Sequence, residues 1–221
     1  MKKGDTFLVS CGGKSHLCEL KECENDFAVA DIIEENFQDT ELPVKIYLFQ
    51  GLPKSDKLEL IIQKATELGV HKIIPVEMNR CVVKLDGKKK ASKTARWQAI
   101  AESAAKQSKR TLVPEVEQPL SYGEALKKAS ELDLLLVPYD SKRGMQDTAD
   151  ALSLIKKGSS VGILIGPEGG FENSEVEKAF ASGGKVISLG SRILRTETAA
   201  ITAVGMCMLY TEMNLSGDDN D

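Results

Sequence analysis

Two glycine-bearing loops hold the residues of this sequence that could bind a ligand and act on it. The first, residues 166–174, follows an apolar run and contains Gly166, Gly169 and Gly170. Glycines let a backbone approach a ligand closely, and open parallel sheets bind ligands beyond the carboxyl ends of their strands. The loop lacks the Lys-Ser/Thr pair of a P-loop and the Gly-x-Gly-x-x-Gly spacing of a dinucleotide site. It predicts a ligand site of another kind, with an ordinary tight turn as the alternative.

The second loop, residues 189–195, leads into a strongly apolar helix. Arg192, Arg195 and Glu197 crowd the start of that helix, close to Gly190. Charged side chains concentrated at the start of a buried helix are more readily explained by a functional site than by packing. The alternative that stays open is an ion pair between Arg195 and Glu197 that holds the loop.

Apolar runs that alternate with helical patterns must position both loops. Near-continuous apolar strands separated by helices imply a parallel sheet that helices cover on both faces. The predicted strands are residues 44–49, 73–76, 134–137, 161–165 and 186–189, and the predicted helices are residues 58–68, 92–107, 121–132, 147–157, 174–182 and 196–213. Ser174 and Glu177 have the spacing of a capping box at the start of the fifth helix.

The first forty-odd residues have a different pattern. Short β-rich runs at residues 6–9, 16–20 and 27–33 are separated by turns, and they predict a small antiparallel unit. Three or four strands bury little by themselves. The unit must therefore pack against the rest of the chain or form a fragment of a barrel.

Composition excludes several classes of protein. Hydrophobic residues make up 42% of the chain, and glycine and proline number 18 and 7, which excludes a disordered or collagen-like chain. No targeting segment and no run of about 20 apolar residues is present, so a cytoplasmic protein without a membrane span is expected. The five cysteines include no Cys-x-x-Cys pair, so neither a disulfide framework nor a metal site is predicted.

Charge is distributed unevenly along the chain. The net charge of −4 argues against a general polyanion binder. Residues 80–110 nevertheless contain ten basic and two acidic side chains, a balance of +8, whereas residues 1–44 have a balance of −6. Because phosphate binding needs only local positive charge, this basic block predicts a phosphate-binding face, with a solvated lysine-rich surface as the alternative.

The two loops closely resemble the signature loops of the RsmE family, the bacterial 16S ribosomal RNA uridine-N3 methyltransferases of the SPOUT class. The matching segments are Leu-Ile-Gly-Pro-Glu-Gly-Gly at residues 164–170 and Leu-Gly-Ser-Arg-Ile-Leu-Arg-Thr-Glu-Thr-Ala at residues 189–199. Further matches lie at residues 62–70, 80–84, 97–102 and 107–114, so the similarity extends over about residues 4–209.

This resemblance implies a fold, a cofactor and partners. The fold would be an α/β parallel-sheet methyltransferase domain with a C-terminal trefoil knot, preceded by a small PUA-like β-barrel. S-adenosylmethionine would lie in the knot, held largely by the backbone of three loops. The chain would form a homodimer, for which the apolar final helix is suited. The substrate would be a decoding-region uridine, of the uridine-1498 type, in 16S rRNA or the small ribosomal subunit.

The resemblance also assigns residues and boundaries. The predicted cofactor-binding residues are Val137, Pro138, Ile165, Gly166, Gly169, Gly170, Leu189, Gly190, Ile193, Leu194 and Thr196. The predicted RNA-binding residues are Arg80, Lys84, Lys88, Lys89, Lys90, Gln107 and Arg110. Residues 1–42 would form the β domain, 43–214 the methyltransferase domain and 215–221 a disordered acidic tail. Family members usually begin further upstream, so the barrel is expected to lack its first strand.

The chemistry implied by the resemblance needs loss of the uridine imino proton before N3 can accept a methyl group. Arg195 is predicted to stabilise the negative charge that develops on the uracil carbonyls. Glu168 or Glu197 is predicted to accept or relay the proton. The rival class is a non-catalytic RNA-binding protein that retains the fold, which would ignore S-adenosylmethionine.

Overall fold

The computed structural model describes residues 1–11, 13–37, 40–139 and 144–215. An antiparallel sheet of three strands forms the N-terminal part, with β2 in the middle. Its strands are β1 (Thr6–Cys11), β2 (Lys14–Cys23) and β3 (Ala28–Glu35). Within these strands only Ser15, Cys18 and Leu20 are buried. The three predicted N-terminal strands are confirmed, and they bury as little as their length implies.

A larger sheet of parallel strands forms the centre of the molecule, as predicted. The strands lie in the order β10-β8-β9-β4-β5-β6, and β7 pairs with the carboxyl end of β5. Their bounds are β4 (Lys45–Gly51), β5 (Lys72–Glu77), β6 (Glu115–Val116), β7 (Leu120–Ser121), β8 (Leu134–Pro138), β9 (Ser160–Ile165) and β10 (Lys185–Ile187). Leu48 and Phe49 point to opposite faces of β4, and both are fully buried. Both faces of the sheet are therefore covered.

Helices connect the strands of this sheet. They are α1 (Lys57–Glu67), α2 (Gly87–Gln107), α3 (Tyr122–Ala129), α4 (Met145–Leu152), α5 (Asn173–Ala181) and α6 (Thr196–Leu215). α6 packs against α1, β4 and β9, so the last helix returns to the centre of the sheet. Beyond Leu215 the predicted acidic tail lies outside the described residues. Within the described ranges, no helix combines the length and the apolar character needed to cross a membrane.

Several helices differ from the sequence prediction at their ends, and one of them, α4, covers Met145–Leu152 instead of residues 147–157. α2 begins at Gly87 rather than near residue 92, because the Asp86 carboxylate caps it by accepting a hydrogen bond from Lys89 N at 2.9 Å. The predicted capping box of α5 is wrong by two residues, since the Glu175 carboxylate accepts from Glu172 N at 2.8 Å. The hydrophobic pattern of the sequence predicts neither β6 nor β7, because a strand of two residues is too short to show the alternation of apolar and polar side chains.

Arg110 joins separate segments at the amino-terminal edge of the parallel sheet. Its side chain is 3% exposed and forms an ion pair with Glu41, which precedes β4. Its Nη1 donates to the carbonyl oxygens of Val70 at 2.7 Å and Thr66 at 3.1 Å. The predicted contact of Arg110 with RNA does not fit this position, because the guanidinium faces the protein interior. The RNA-binding surface that we propose therefore does not include Arg110.

Candidate active site

A cleft of ≈ 790 Å³ opens at the carboxyl ends of the parallel strands. Three loops line it, and they follow β8, β9 and β10. β8 and β9 are adjacent and β10 lies beside β8, so the two glycine loops meet although 20 residues separate Gly170 from Gly190. This is the edge at which parallel sheets bind ligands. Its volume falls in the range of about 300–1,000 Å³ that is usual for small-molecule sites.

Glycine is required at specific points of the two loops. Gly170 has a φ of 67° and Gly190 a φ of 103°, values that favour glycine because a Cβ would be strained there. A Cβ on Gly51 at the end of β4 would lie 2.8 Å from the Pro167 ring. The β9 loop therefore packs directly on the β4 backbone, and the floor of the cleft is tight.

A buried amide connects three of the elements around the cleft. Gln50 in β4 is fully buried, and its Nε2 donates to Thr196 Oγ1 at 3.0 Å. Thr196 Oγ1 in turn donates to the carbonyl oxygen of Gly166 at 2.7 Å. These two hydrogen bonds fix the start of α6 against the β9 loop. Thr196 is thus a residue that shapes the cleft as well as lining it.

Lys57 contacts carboxylates from both glycine loops. Its Nζ donates to Glu168 Oε1 at 3.0 Å and lies 3.5 Å from Glu197 Oε2. Partial burial disfavours the Glu168 charge, but hydrogen bonds from Lys57 and from Lys54 N outweigh it and lower the pKa of Glu168. The hydrogen bond to Glu168 raises the pKa of Lys57 above its usual value. Both partners are therefore ionised at neutral pH.

Positive charge dominates the wall of the cleft. Arg80 Nη1 donates to the Gly169 carbonyl oxygen at 2.8 Å and supports the first loop. Arg192 and Arg195 are exposed, and their side chains form no ion pair or hydrogen bond within the described residues. With Lys57, four cations and the single carboxylate of Glu168 line the cleft. Such a wall favours an anionic substrate such as RNA. Among the described residues, no three His, Cys, Asp or Glu side chains cluster as a metal site would.

The structure brings ten of the eleven predicted cofactor-binding residues to this one cleft. These ten lining residues are Pro138, Ile165, Gly166, Gly169, Gly170, Leu189, Gly190, Ile193, Leu194 and Thr196. Val137 does not line it, because its side chain is fully buried and faces Gly184. Ile193 lies at the outer rim with 91% of its surface exposed.

The three predicted catalytic residues have different positions. Arg195 and Glu168 line the cleft. Glu197 does not, and its side chain is 14% exposed beside Lys57. Glu197 therefore reaches the cleft only through Lys57. The predicted alternative of an ion pair between Arg195 and Glu197 is not formed in the described structure.

α2 carries the predicted RNA-binding residues to opposite edges of the sheet. Lys90 near its start pairs with Glu77 at the carboxyl end of β5 at 3.0 Å, whereas α2 ends close to the buried Arg110. Lys88 and Gln107 are about 28 Å apart along the helix axis at 1.5 Å per residue. Of the predicted set, Arg80 lines the cleft, and Lys90 lies at the same edge of the sheet beside Glu77. Lys88 and Lys89 share the first turn of α2 with Lys90, whereas Gln107 lies at the opposite end of that helix.

The sequence reasoning does not identify Lys57 or Gln50. One signal was present for each: Gln50 is a polar amide within an apolar strand, and Lys57 closely follows the break at Gly51. The carboxyl end of β4 belongs to the same sheet edge as the two glycine loops. Asking which side chains follow every parallel strand, rather than only the glycine-rich ones, would have identified both residues.

Comparison with known proteins agrees with this site. A family model described as an RNA methyltransferase domain matches residues 40–208. The ribosomal RNA small subunit methyltransferase E of Bacillus subtilis is 43% identical, over 99% of this chain and 86% of the Bacillus protein. The corresponding protein of Mesomycoplasma hyopneumoniae is 32% identical, over 93% of this chain and 86% of its own length.

Solved structures are similar over nearly the whole chain. The ribosomal RNA small subunit methyltransferase E of Neisseria gonorrhoeae, bound to S-adenosyl methionine, is 34% identical with a TM-score of 0.80, and the match covers 95% of this chain and 84% of that one. A Legionella pneumophila methyltransferase with bound SAM is 31% identical, with the same TM-score of 0.80. With both signature loops joined in one cleft, these similarities show that the chain belongs to the RsmE family of ribosomal RNA small subunit methyltransferases.

Proposed function

We propose that this protein is an S-adenosylmethionine-dependent methyltransferase that modifies N3 of a uridine in the 16S rRNA of the small ribosomal subunit. The observation that carries the proposal is the convergence on one cleft of both glycine loops and of Arg195, which has no ion-pair partner among the described residues. The relatives named above support the reaction and the ribosomal substrate. A ribosomal substrate would place the activity in the cytoplasm.

The residues of the cleft fit S-adenosylmethionine. Apolar side chains suited to an adenine ring lie beside tightly turned glycine backbone, on which no side chain obstructs a ligand. The apolar lining includes Ile165, Phe171, Leu189 and Leu194. When bound, the cofactor supplies an electrophilic methyl group. The protein's part is then to hold the uridine in line with that group and to favour its N3 anion.

Arg195 and Glu168 take different parts in this mechanism. Arg195 is exposed on the cleft wall without a partner among the described side chains, so its guanidinium is free to donate to a uracil carbonyl. Glu168 is held ionised by Lys57 and Lys54 N, and its lowered pKa makes it a weak proton acceptor. We therefore assign charge stabilisation to Arg195 and give Glu168 a smaller part in proton transfer than the sequence alone predicts.

Finer features of the fold belong to the same proposal. β10 lies at the sheet edge beyond β8, yet α6 returns to pack on β4 and β9, which supports a C-terminal knot. Leu209 and Met213 of α6 are 54% and 79% exposed, which supports a homodimer through this helix. The three-stranded N-terminal sheet is compatible with part of a PUA-like barrel.

The basic residues at the cleft edge are proposed to dock the RNA. We expect the double variant Lys84→Glu with Lys88→Glu to weaken RNA binding and to flatten its salt dependence. The logarithm of the binding constant falls linearly with the logarithm of the salt concentration, and each lost phosphate contact should reduce the magnitude of this negative slope by about 0.9. Both lysines are exposed and form no ion pair within the described residues. The measurement is a fluorescence titration of a 16S rRNA fragment at several salt concentrations.

A matched control is available at the far end of the same basic block. Lys106→Glu with Lys109→Glu changes the net charge equally, but both residues lie near the end of α2, away from the cleft. This control should leave the slope nearly unchanged. Equal slopes for the two double variants would contradict docking at the cleft edge.

The function is tested on small ribosomal subunits from a bacterial strain that lacks this methylation. Purified protein with S-adenosylmethionine should transfer one methyl group per subunit, and mass spectrometry of the digested 16S rRNA should identify 3-methyluridine. Transfer to another base or position would refute the proposed specificity. No transfer, together with no heat of S-adenosylmethionine binding in calorimetry, would favour the non-catalytic alternative.

A further inference from the structure

Lys57 lies where its side chain could contact a bound substrate, which a purely structural lysine would not require. Its side chain lines the cleft and is 31% exposed, so it is accessible to a bound substrate. It begins α1 directly after the β4 loop, at the carboxyl edge of the sheet. The two carboxylates that it contacts come from the two signature loops, 111 residues away for Glu168.

The hydrogen bonds of Lys57 leave donor capacity free. A protonated lysine has three N–H donors. One donates to Glu168 Oε1 at 3.0 Å, and a second faces Glu197 Oε2 at 3.5 Å without forming a hydrogen bond. At least one N–H therefore stays available for an acceptor in the cleft. Glu168 and Glu197 hold the ammonium group from two sides, which restricts where this donor can point.

The protonation state of Lys57 is set by the same contacts. Its hydrogen bond with Glu168 raises its pKa, and the charge of Glu197 acts in the same direction. Lys57 is therefore a cation at neutral pH and cannot remove the uridine proton. What it can do is stabilise an anion that forms next to it.

We propose that Lys57 is a catalytic residue that donates a hydrogen bond to a uracil carbonyl and stabilises the N3 anion, and that Glu197 is its positioning residue. The inference rests on the proposed function. The negative charge of the uracil anion spreads over O2 and O4 on either side of N3, so two cations can each hold one oxygen. Lys57 would take one carbonyl and Arg195 the other. The imino proton passes to water, and N3 bonds to the methyl carbon as the S–CH3 bond breaks.

The test uses the acidity of the target base. Single-turnover methylation by Lys57→Met should be about 10²–10³-fold slower than wild type on RNA that contains uridine at the target position. Its affinity for S-adenosylmethionine, measured by calorimetry, should change less than about threefold. With 5-fluorouridine at the target, fluorine withdraws electrons and acidifies N3. On this RNA the methylation rate of Lys57→Met should come close to that of the wild type. On uridine RNA the difference in rate between variant and wild type should decrease as the pH rises towards the pKa of N3.

Three further variants make the interpretation specific. Lys57→Arg keeps a cation and should retain more activity than Lys57→Met. Glu197→Gln should lose less activity than Lys57→Met and should show the same partial recovery on 5-fluorouridine, because it acts through Lys57. Lys64→Met should behave as wild type, because Lys64 lies on the same helix but its ion pair within the described residues is with Glu67.

The outcomes separate this inference from the function on which it depends. An equal deficit of Lys57→Met on uridine and 5-fluorouridine RNA, at every pH, would overturn the catalytic role. So would loss of S-adenosylmethionine binding in Lys57→Met and Lys57→Arg alike, because Lys57 would then build the site rather than act in it. A wild-type product other than 3-methyluridine would instead refute the proposed function itself.

Discussion

Replacement of Arg110 by methionine should lower the free energy of unfolding by about 3–5 kcal/mol, because it removes the cation from a largely buried ion pair with Glu41. Arg110 is almost fully buried, and Glu41 is its ion-pair partner. The backbone carbonyls of Thr66 and Val70 would also each lose one hydrogen bond. The measurement is urea unfolding followed by circular dichroism, and the slope with urea should stay unchanged.

Arg96 provides the matched control for this prediction. It also pairs with a glutamate, at 2.8 Å, but its side chain is 60% exposed, so Arg96→Met should cost less than about 1 kcal/mol. The double variant Arg110→Met with Glu41→Gln should regain part of the loss, because it no longer leaves a net charge at the site. Equal costs for Arg110→Met and Arg96→Met would contradict the structural role.

The prediction that Arg110 binds RNA shows a limit of reasoning from the sequence alone. A count of charges along residues 80–110 treats all ten cations as one surface. α2 runs from the carboxyl edge of the sheet, at Lys90, towards the amino edge, where Arg110 follows the end of the helix, and so the cations are divided between the two edges. A local charge sum contains no information on this direction. The parallel sheet itself is predictable because unbroken apolar strands such as β4 and β9 must be covered on both faces.

The site contains some residues that can be predicted from local sequence motifs and others that are identified only by long-range contacts. The glycine loops are contiguous in sequence, so their motifs are visible without a structure. The contacts of Gln50 with Thr196 and of Lys57 with Glu168 span 146 and 111 residues, and no periodicity encodes such pairs. Glu197 shows both kinds of information, since its motif is visible in the sequence, whereas its contact with Lys57 is visible only in the structure.

Replacement of Arg195 by alanine should lower the rate of methyl transfer by about 10²–10³-fold, the effect expected when a donor to a developing oxyanion is removed. The protein should stay folded, because the Arg195 side chain is exposed and forms no ion pair within the described residues. Cofactor affinity should change little, since the hydrogen bonds that shape the cleft belong to Gln50 and Thr196. Tritiated-methyl transfer gives the rate, and calorimetry gives the affinity.

Arg192 separates this role from a general need for positive charge. It lines the same cleft three residues earlier and is also exposed without an ion-pair partner in the described chain. Arg192→Ala should raise the KM for RNA and leave the maximal rate nearly unchanged, because a positioning cation contributes to ground-state and transition-state binding alike. Arg195→Ala should instead lower the maximal rate. Normal turnover in Arg195→Ala, or equal losses of maximal rate in both variants, would show that no specific arginine stabilises the uracil anion.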